Sequence, residues 1–196
     1  MNVLLGGVLT NKEMYKEYSD NYVIETYHDF VCTNLNSYQE LSELVYEKYF
    51  KDNEIDILIG HSMGGLIILD LLIKNYDIKA KKIVICESYI SEPNEPFRNL
   101  VYKNKILEDK ILSMMKSERP LFSSLVFDSL RQLDIRKELL NISKSVTFVY
   151  GMRDMDQEKF INELDFISNL NFTIKGIKET SHFCLVENKL DFESII

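Results

Sequence analysis

Cysteine, proline and histidine each occur only three times in 196 residues, and glycine only seven. Cys32, Cys86 and Cys184 are odd in number, far apart and without Cys-x-x-Cys spacing, which argues against a disulfide framework or a zinc site and makes a reducing cytoplasm the expected setting. No apolar run reaches the ~20 residues that span a bilayer. Met1 enters Val3-Leu4-Leu5 with no basic region before it and halts at Gly6-Gly7, so no signal peptide is expected. Positive charge is also scarce. A net charge of −8 and a pI near 5.0 disfavour non-specific binding to nucleic acid or anionic membrane. Repeats and low-complexity tracts are missing as well. What remains is a chain that is 45% hydrophobic, enough for one domain, 1–196, with a substantial core.

Short apolar runs recur along it: 2–6, 22–27, 55–60, 82–87, 146–151 and 171–176. Most are rich in Val, Ile, Leu or aromatic residues without clean polar alternation, as in strands buried on both faces of a parallel sheet. Helical spacing fills the gaps. Tyr38–Phe50 sets Leu41, Leu44, Val45 and Tyr49 on one face, with Ser37 as N-cap and Glu40 as its capping-box partner. Met63–Tyr76 is apolar almost all round, as in a central buried helix, and Gln157–Ile167 and Glu187–Ile196 read as outer helices. Strand and helix in regular turn predict an α/β fold, a three-layer sandwich around a mostly parallel sheet.

One interval breaks that rhythm. All three prolines, Pro93, Pro96 and Pro120, fall between Ser88 and Ser145, with helical patterns between them. The expectation is a helical insertion over about 89–133, lying above the sheet as a small lid. From Phe97 to Lys144 there are ten Lys or Arg against six Asp or Glu, a local +4 that leaves −12 elsewhere.

At the end of the third strand stands Gly60-His61-Ser62-Met63-Gly64-Gly65, which fits Gly-x-Ser-x-Gly. A sharp strand-to-helix turn would hold Ser62 in a strained conformation with its hydroxyl presented at the sheet edge. The residues two before and two after crowd neighbouring backbone, so Gly60 and Gly64 are there for clearance. The helix behind Ser62 points its positive end at the site. A serine nucleophile needs a base, and the base an orienting acid. His61 adjoins the serine and should point away from it. His28 follows the second strand on the same sheet edge, near the site. His182, after the last strand, fits the order Ser…Asp…His. For the acid, Asp154 follows the buried strand ending in Gly151; Asp156 and Glu87 are the alternatives.

With these motifs in order, the chain resembles the α/β-hydrolase superfamily over Val3–Gly7, Gly60–Gly65, Leu133–Asp154 and His182-Phe183. The resemblance implies a sheet of about six strands in the order 2-1-3-4-5-6, lacking the two N-terminal strands usual in relatives. Relatives read His-Gly-x in the first motif, and here Gly6 replaces the histidine. It further implies Val8 and Met63 as backbone N–H donors of an oxyanion hole, and hydrolysis of a carboxylic ester or thioester without metal or cofactor.

The insertion is similar in size and position to lids of small esterases that act on carrier-bound acyl chains. Phe97, Arg98, Met115 and Phe122, with His28, are the expected substrate contacts. The basic residues there would suit coenzyme A or acyl carrier protein, the alternative being an ordinary solvated surface. Two other functions share the framework: carbon–carbon cleavage or elimination by the same triad, and a non-catalytic binding protein.

Overall fold

The computed structural model describes residues 1–91, 109, 113, 122–131, 133–154 and 171–196. Six strands form one parallel sheet: β1 (Asn2–Leu5), β2 (Val23–Glu25), β3 (Ile55–His61), β4 (Ala80–Cys86), β5 (Val146–Gly151) and β6 (Phe172–Ile177). Their spatial order is β2-β1-β3-β4-β5-β6, as the family resemblance implied. The α/β architecture and its parallel sheet are therefore as expected.

Residues alternate across the pleat and divide the core in two. Val3, Leu5, Leu58, Ile83, Ile85 and Phe148 face one side, where α1 (Tyr38–Val45) and α2 (Met63–Ile73) cover them. Leu4, Ile59, Val84, Cys86 and Val149 face the other. There they meet a 3-10 segment at Lys12–Tyr18 and the C-terminal helices α4 (Cys184–Glu187) and α5 (Lys189–Ile195). The result is three layers, with every residue of α2 from Met63 to Leu72 buried. A helix apolar all round can only be central, which fits its place against β3.

Local chemistry accounts for the details. Ser37 caps α1 by accepting the Glu40 N–H at 3.4 Å, while the Glu40 carboxylate reaches one residue further back and accepts Asn36 N–H at 2.9 Å. Helical geometry runs on through a π turn at Tyr46–Phe50. The expected last helix, Glu187–Ile196, instead starts at Cys184 and is interrupted at Asn188, which caps α5 by accepting the Asp191 N–H at 3.2 Å. The 3-10 segment was not foreseen; Asn11 caps it, and Met14, Tyr15 and Tyr18 are its buried side.

Of the interval 89–133, the described part includes α3 (Ser124–Arg131). Val126 is buried, Phe122 packs against the core, and Leu125 faces outward. Ser123 N–H donates to Cys32 O, and Ser129 Oγ accepts Tyr38 N–H, so α3 rests on the connection between β2 and α1. Ser91 pairs with Asp134 in an antiparallel bridge, and Ile135 N–H donates to Ile90 O at 2.9 Å. The chain thus leaves and rejoins the sheet region at one point. The helix expected at Gln157–Ile167, and most of the helical patterns expected between the prolines of the insertion, lie outside the described residues.

Candidate active site

Register places the site. Gly60 lies beside Leu5 and Ile85, and Gly151 beside Ile177, so the loops after all these strands share one sheet edge. Ser62, between β3 and α2, has φ 53° and ψ −119°, a region L residues rarely occupy. Such a conformation costs on the order of 1–3 kcal/mol and must be held by its surroundings. Ser62 N–H donates to Cys86 O at 2.8 Å, and the Ser88 hydroxyl donates to Ser62 O at 2.7 Å. The glycines supply clearance. A Cβ on Gly60 would stand 2.6 Å from Gly65 Cα, and one on Gly64 would stand 2.3 Å from Leu5 O.

His182 lies across from this turn. Its Nε2 is 3.1 Å from Ser62 Oγ, and its Nδ1 is 3.2 Å from Asp154 Oδ2. All three therefore meet, although 120 residues separate the outer two and 28 the inner pair. Their loops are tied to each other. Arg153 N–H donates to Thr180 O at 2.8 Å and Met152 N–H to Ile177 O at 3.0 Å, which lays the Asp154 turn along the His182 loop. The Glu187 carboxylate accepts the N–H groups of Ser181 (3.1 Å) and Phe183 (3.3 Å), gripping the backbone on both sides of His182. Tyr89 donates its hydroxyl to Asp154 Oδ2 at 3.0 Å and stacks on the His182 ring, centroids 5.4 Å apart.

Glu87 is the other acid nearby. It is 1% exposed with φ 51°, and its carboxyl accepts Gly151 N–H. Burial, then the adjacent Cys184 and Asp154, push its pKa well above the usual carboxylate range. Glu87, Asp154 and His182 have ligand-type atoms within 4.8 Å of one another, the one grouping of cation-binding type found among the described residues. A cation there would compete with the His182–Asp154 hydrogen bond.

On the far side of Ser62 the Gly6-Gly7 peptide is clamped. Tyr27 donates to Gly6 O at 2.8 Å, and Gly7 N–H donates to the Tyr15 oxygen at 3.1 Å. Gly7 carries its hydrogen past Ser62 closely enough that a Cβ would be 3.2 Å from Ser62 Cβ. Val8 follows, half-buried, and Met63 begins α2; a helix's first N–H groups have no partner within the helix. His61 is fully buried, and its ring nitrogens bond the Tyr15 hydroxyl and the His182 carbonyl, not Ser62.

His28 is exposed, with Nδ1 3.0 Å from Thr26 Oγ1. Phe122 packs edge-on against Tyr27, centroids 6.1 Å apart. Phe97, Arg98, Met115 and Asp156 lie outside the described residues, as do Lys103, Lys105, Lys110, Lys116 and Arg119. Sequence reasoning missed Tyr89, Glu187 and Tyr15. For Tyr15 the signal was faint: Asn11 as cap, followed by Met14, Tyr15 and Tyr18 at helical spacing over a single short segment.

No protein-family model matches the chain, and a search of the curated proteins finds no relative. Solved structures do resemble it. MenH from S. aureus superposes with a TM-score of 0.73 at 20% identity, covering 99% of this chain and 91% of that one. A lipase-esterase related protein from Clostridium acetobutylicum ATCC 824 gives 0.73 at 18% identity, covering 99% and 93%. Est816, described as an N-acyl homoserine lactone degrading enzyme, gives 0.72 at 18% identity, covering 98% and 90%. Others of this kind are described as esterases and α/β hydrolases. The fold is that of the α/β hydrolases.

Proposed function

We propose that this α/β-hydrolase-fold chain cleaves carboxylic esters or thioesters by acyl transfer through Ser62 to water. One observation carries the reading: His182 holds one ring nitrogen 3.1 Å from Ser62 Oγ and the other 3.2 Å from Asp154 Oδ2. An Nδ1–H donated to Asp154 leaves the Nε2 lone pair facing the serine hydroxyl, the tautomer a general base needs. Ser62 Oγ attacks the carbonyl carbon as its proton passes to Nε2. The oxyanion is met by the N–H groups of Val8 and Met63, at the positive end of α2. Nε2–H then protonates the leaving alcohol or thiol, leaving an acyl-Ser62 ester. Water attacks that ester, giving its proton to Nε2, and the acid is released. Asp154, kept in place by Tyr89, stabilises the imidazolium in both halves.

The local +4 of the sequence between Phe97 and Lys144 supports a negatively charged leaving group such as coenzyme A or acyl carrier protein. Three buried free thiols suit a reducing compartment such as the cytoplasm. Among the described residues no helix is long and apolar enough to cross a membrane.

The test is a substrate panel: p-nitrophenyl esters of graded length, acyl-coenzyme A thioesters and an N-acyl homoserine lactone, each with wild type and Ser62→Ala. Ester turnover lost in Ser62→Ala is the expected result. Turnover by the variant at the wild-type rate would sink the reaction, and thioesters cleaved no faster than free esters would remove the carrier.

A further inference from the structure

His61 lies beside the nucleophile yet takes no part in the reaction just described. Its imidazole is fully buried and both nitrogens are engaged. Nε2 is 2.8 Å from His182 O, and Nδ1 is 2.7 Å from the Tyr15 hydroxyl. The direction of every bond follows from chemistry. A carbonyl oxygen can only accept, so Nε2 carries the proton. Burial, with the nearby His182, holds the pKa of His61 down to about 3, so Nδ1 is unprotonated near neutrality and must accept. Tyr15 therefore donates its only proton to Nδ1, which leaves the phenol oxygen free to accept Gly7 N–H at 3.1 Å. Burial raises the Tyr15 pKa, so this proton is not lost near neutrality.

The chain of bonds thus runs from Gly7 N–H to Tyr15, from Tyr15 to His61, and from His61 to the His182 carbonyl. Its two ends are the halves of the site. Gly7 immediately precedes Val8, and two successive glycines are the most freely rotating pair a loop can contain. A peptide plane here that turned over would swing the Val8 N–H away from the oxyanion. At the other end, the His182 carbonyl belongs to the residue whose ring must reach both Ser62 and Asp154. Glu187 fixes the neighbouring N–H groups but leaves that carbonyl to His61.

We propose that His61, acting through Tyr15, is a positioning residue that keeps the Val8 oxyanion donor and the His182 base in register about Ser62. This rests on the acyl-transfer reading above. His61 touches no substrate; it fixes where two other groups stand. Because it is neutral and uses one donor and one acceptor, a glutamine amide, with its oxygen and nitrogen similarly spaced, is the side chain that should replace it.

The experiment compares wild type, His61→Leu, His61→Gln and Tyr15→Phe. Turnover is normalised to the fraction of Ser62 labelled by a fluorophosphonate, and binding of an aryl trifluoromethyl ketone, which forms a tetrahedral adduct, is measured alongside. Losing one oxyanion donor outright costs ~10²–10³ in rate, so a displaced donor should cost ~10- to 100-fold. His61→Leu and Tyr15→Phe should lose that much in kcat per labelled site, with KM nearly unchanged and ketone affinity falling in parallel. His61→Gln should recover most of it. Should His61→Leu not fold, Tyr15→Phe, which removes a single oxygen, decides alone. Unchanged kcat and ketone affinity per site would overturn the proposal, and so would failure of both variants to fold, which would make the contact structural. Wild type that hydrolyses no ester and takes no label would sink the acyl-transfer reading instead.

Discussion

Glu87→Gln should leave catalysis nearly intact while flattening the dependence of stability on pH. Glu87 is 1% exposed; one oxygen accepts Gly151 N–H, and the other has no hydrogen-bond partner among the described residues. An ionised carboxylate so placed would be severely under-solvated, and burial raises its pKa well above the usual range, so the folded protein binds this proton more tightly than the unfolded chain does. The unfolded chain releases that proton near pH ~4.3. The stabilisation from the bound proton is therefore complete below that pH, and it is lost as pH rises toward and through the raised folded value. While the two states differ by one proton, stability falls by roughly 1.4 kcal/mol per pH unit. Glutamine keeps the size and the acceptor for Gly151 and does not titrate. Urea unfolding at pH 5, 6 and 7 should show the variant gaining on the wild type at each step, by at most roughly 1.4 kcal/mol per pH unit. Parallel profiles would refute the raised carboxyl pKa. A collapse of kcat in Glu87→Gln, with Asp154→Asn close to wild type, would show that Glu87, not Asp154, is the acid serving His182.

Gly64→Ala should prevent stable folding, because its Cβ would meet Leu5 O at 2.3 Å and backbone cannot yield there; a melting temperature near wild type would contradict the packing of α2 on β1. Tyr89→Phe keeps the ring stacked on His182 but removes the 3.0 Å bond to Asp154, and about 1 kcal/mol of lost orientation predicts a fall in kcat of roughly 5- to 10-fold. Steady-state kinetics on a p-nitrophenyl ester checks this, with unchanged kcat as the contrary outcome.

Much of the fold was readable because it rests on local chemistry. Buried parallel strands announce themselves as short apolar runs, and α2 as a helix without a polar face. The site was readable where sterics restrict choice: Gly60 and Gly64 flank Ser62 because no larger residue fits, and chain order singled out His182. Other features are set by tertiary approach and leave no periodic trace. Tyr89 reaches Asp154 only because β4 and β5 end side by side. Glu187 grips the His182 loop because the last helix begins at Cys184, earlier than its apolar pattern indicated. The 3-10 segment at Lys12–Tyr18 is too short for a strong amphipathic signal, so the hydrogen bond from Gly7 to Tyr15 stayed hidden, and with it the purpose of His61.

In the proposed reaction Ser62 becomes covalently acylated with His182 as its base. Incubation with a fluorophosphonate, followed by peptide mass mapping, tests it most directly. A single adduct on Ser62 is expected, formed in proportion to the loss of ester hydrolysis and slowed severely in His182→Ala. An adduct on any other residue, or full labelling of the His182→Ala protein at the wild-type rate, would contradict it.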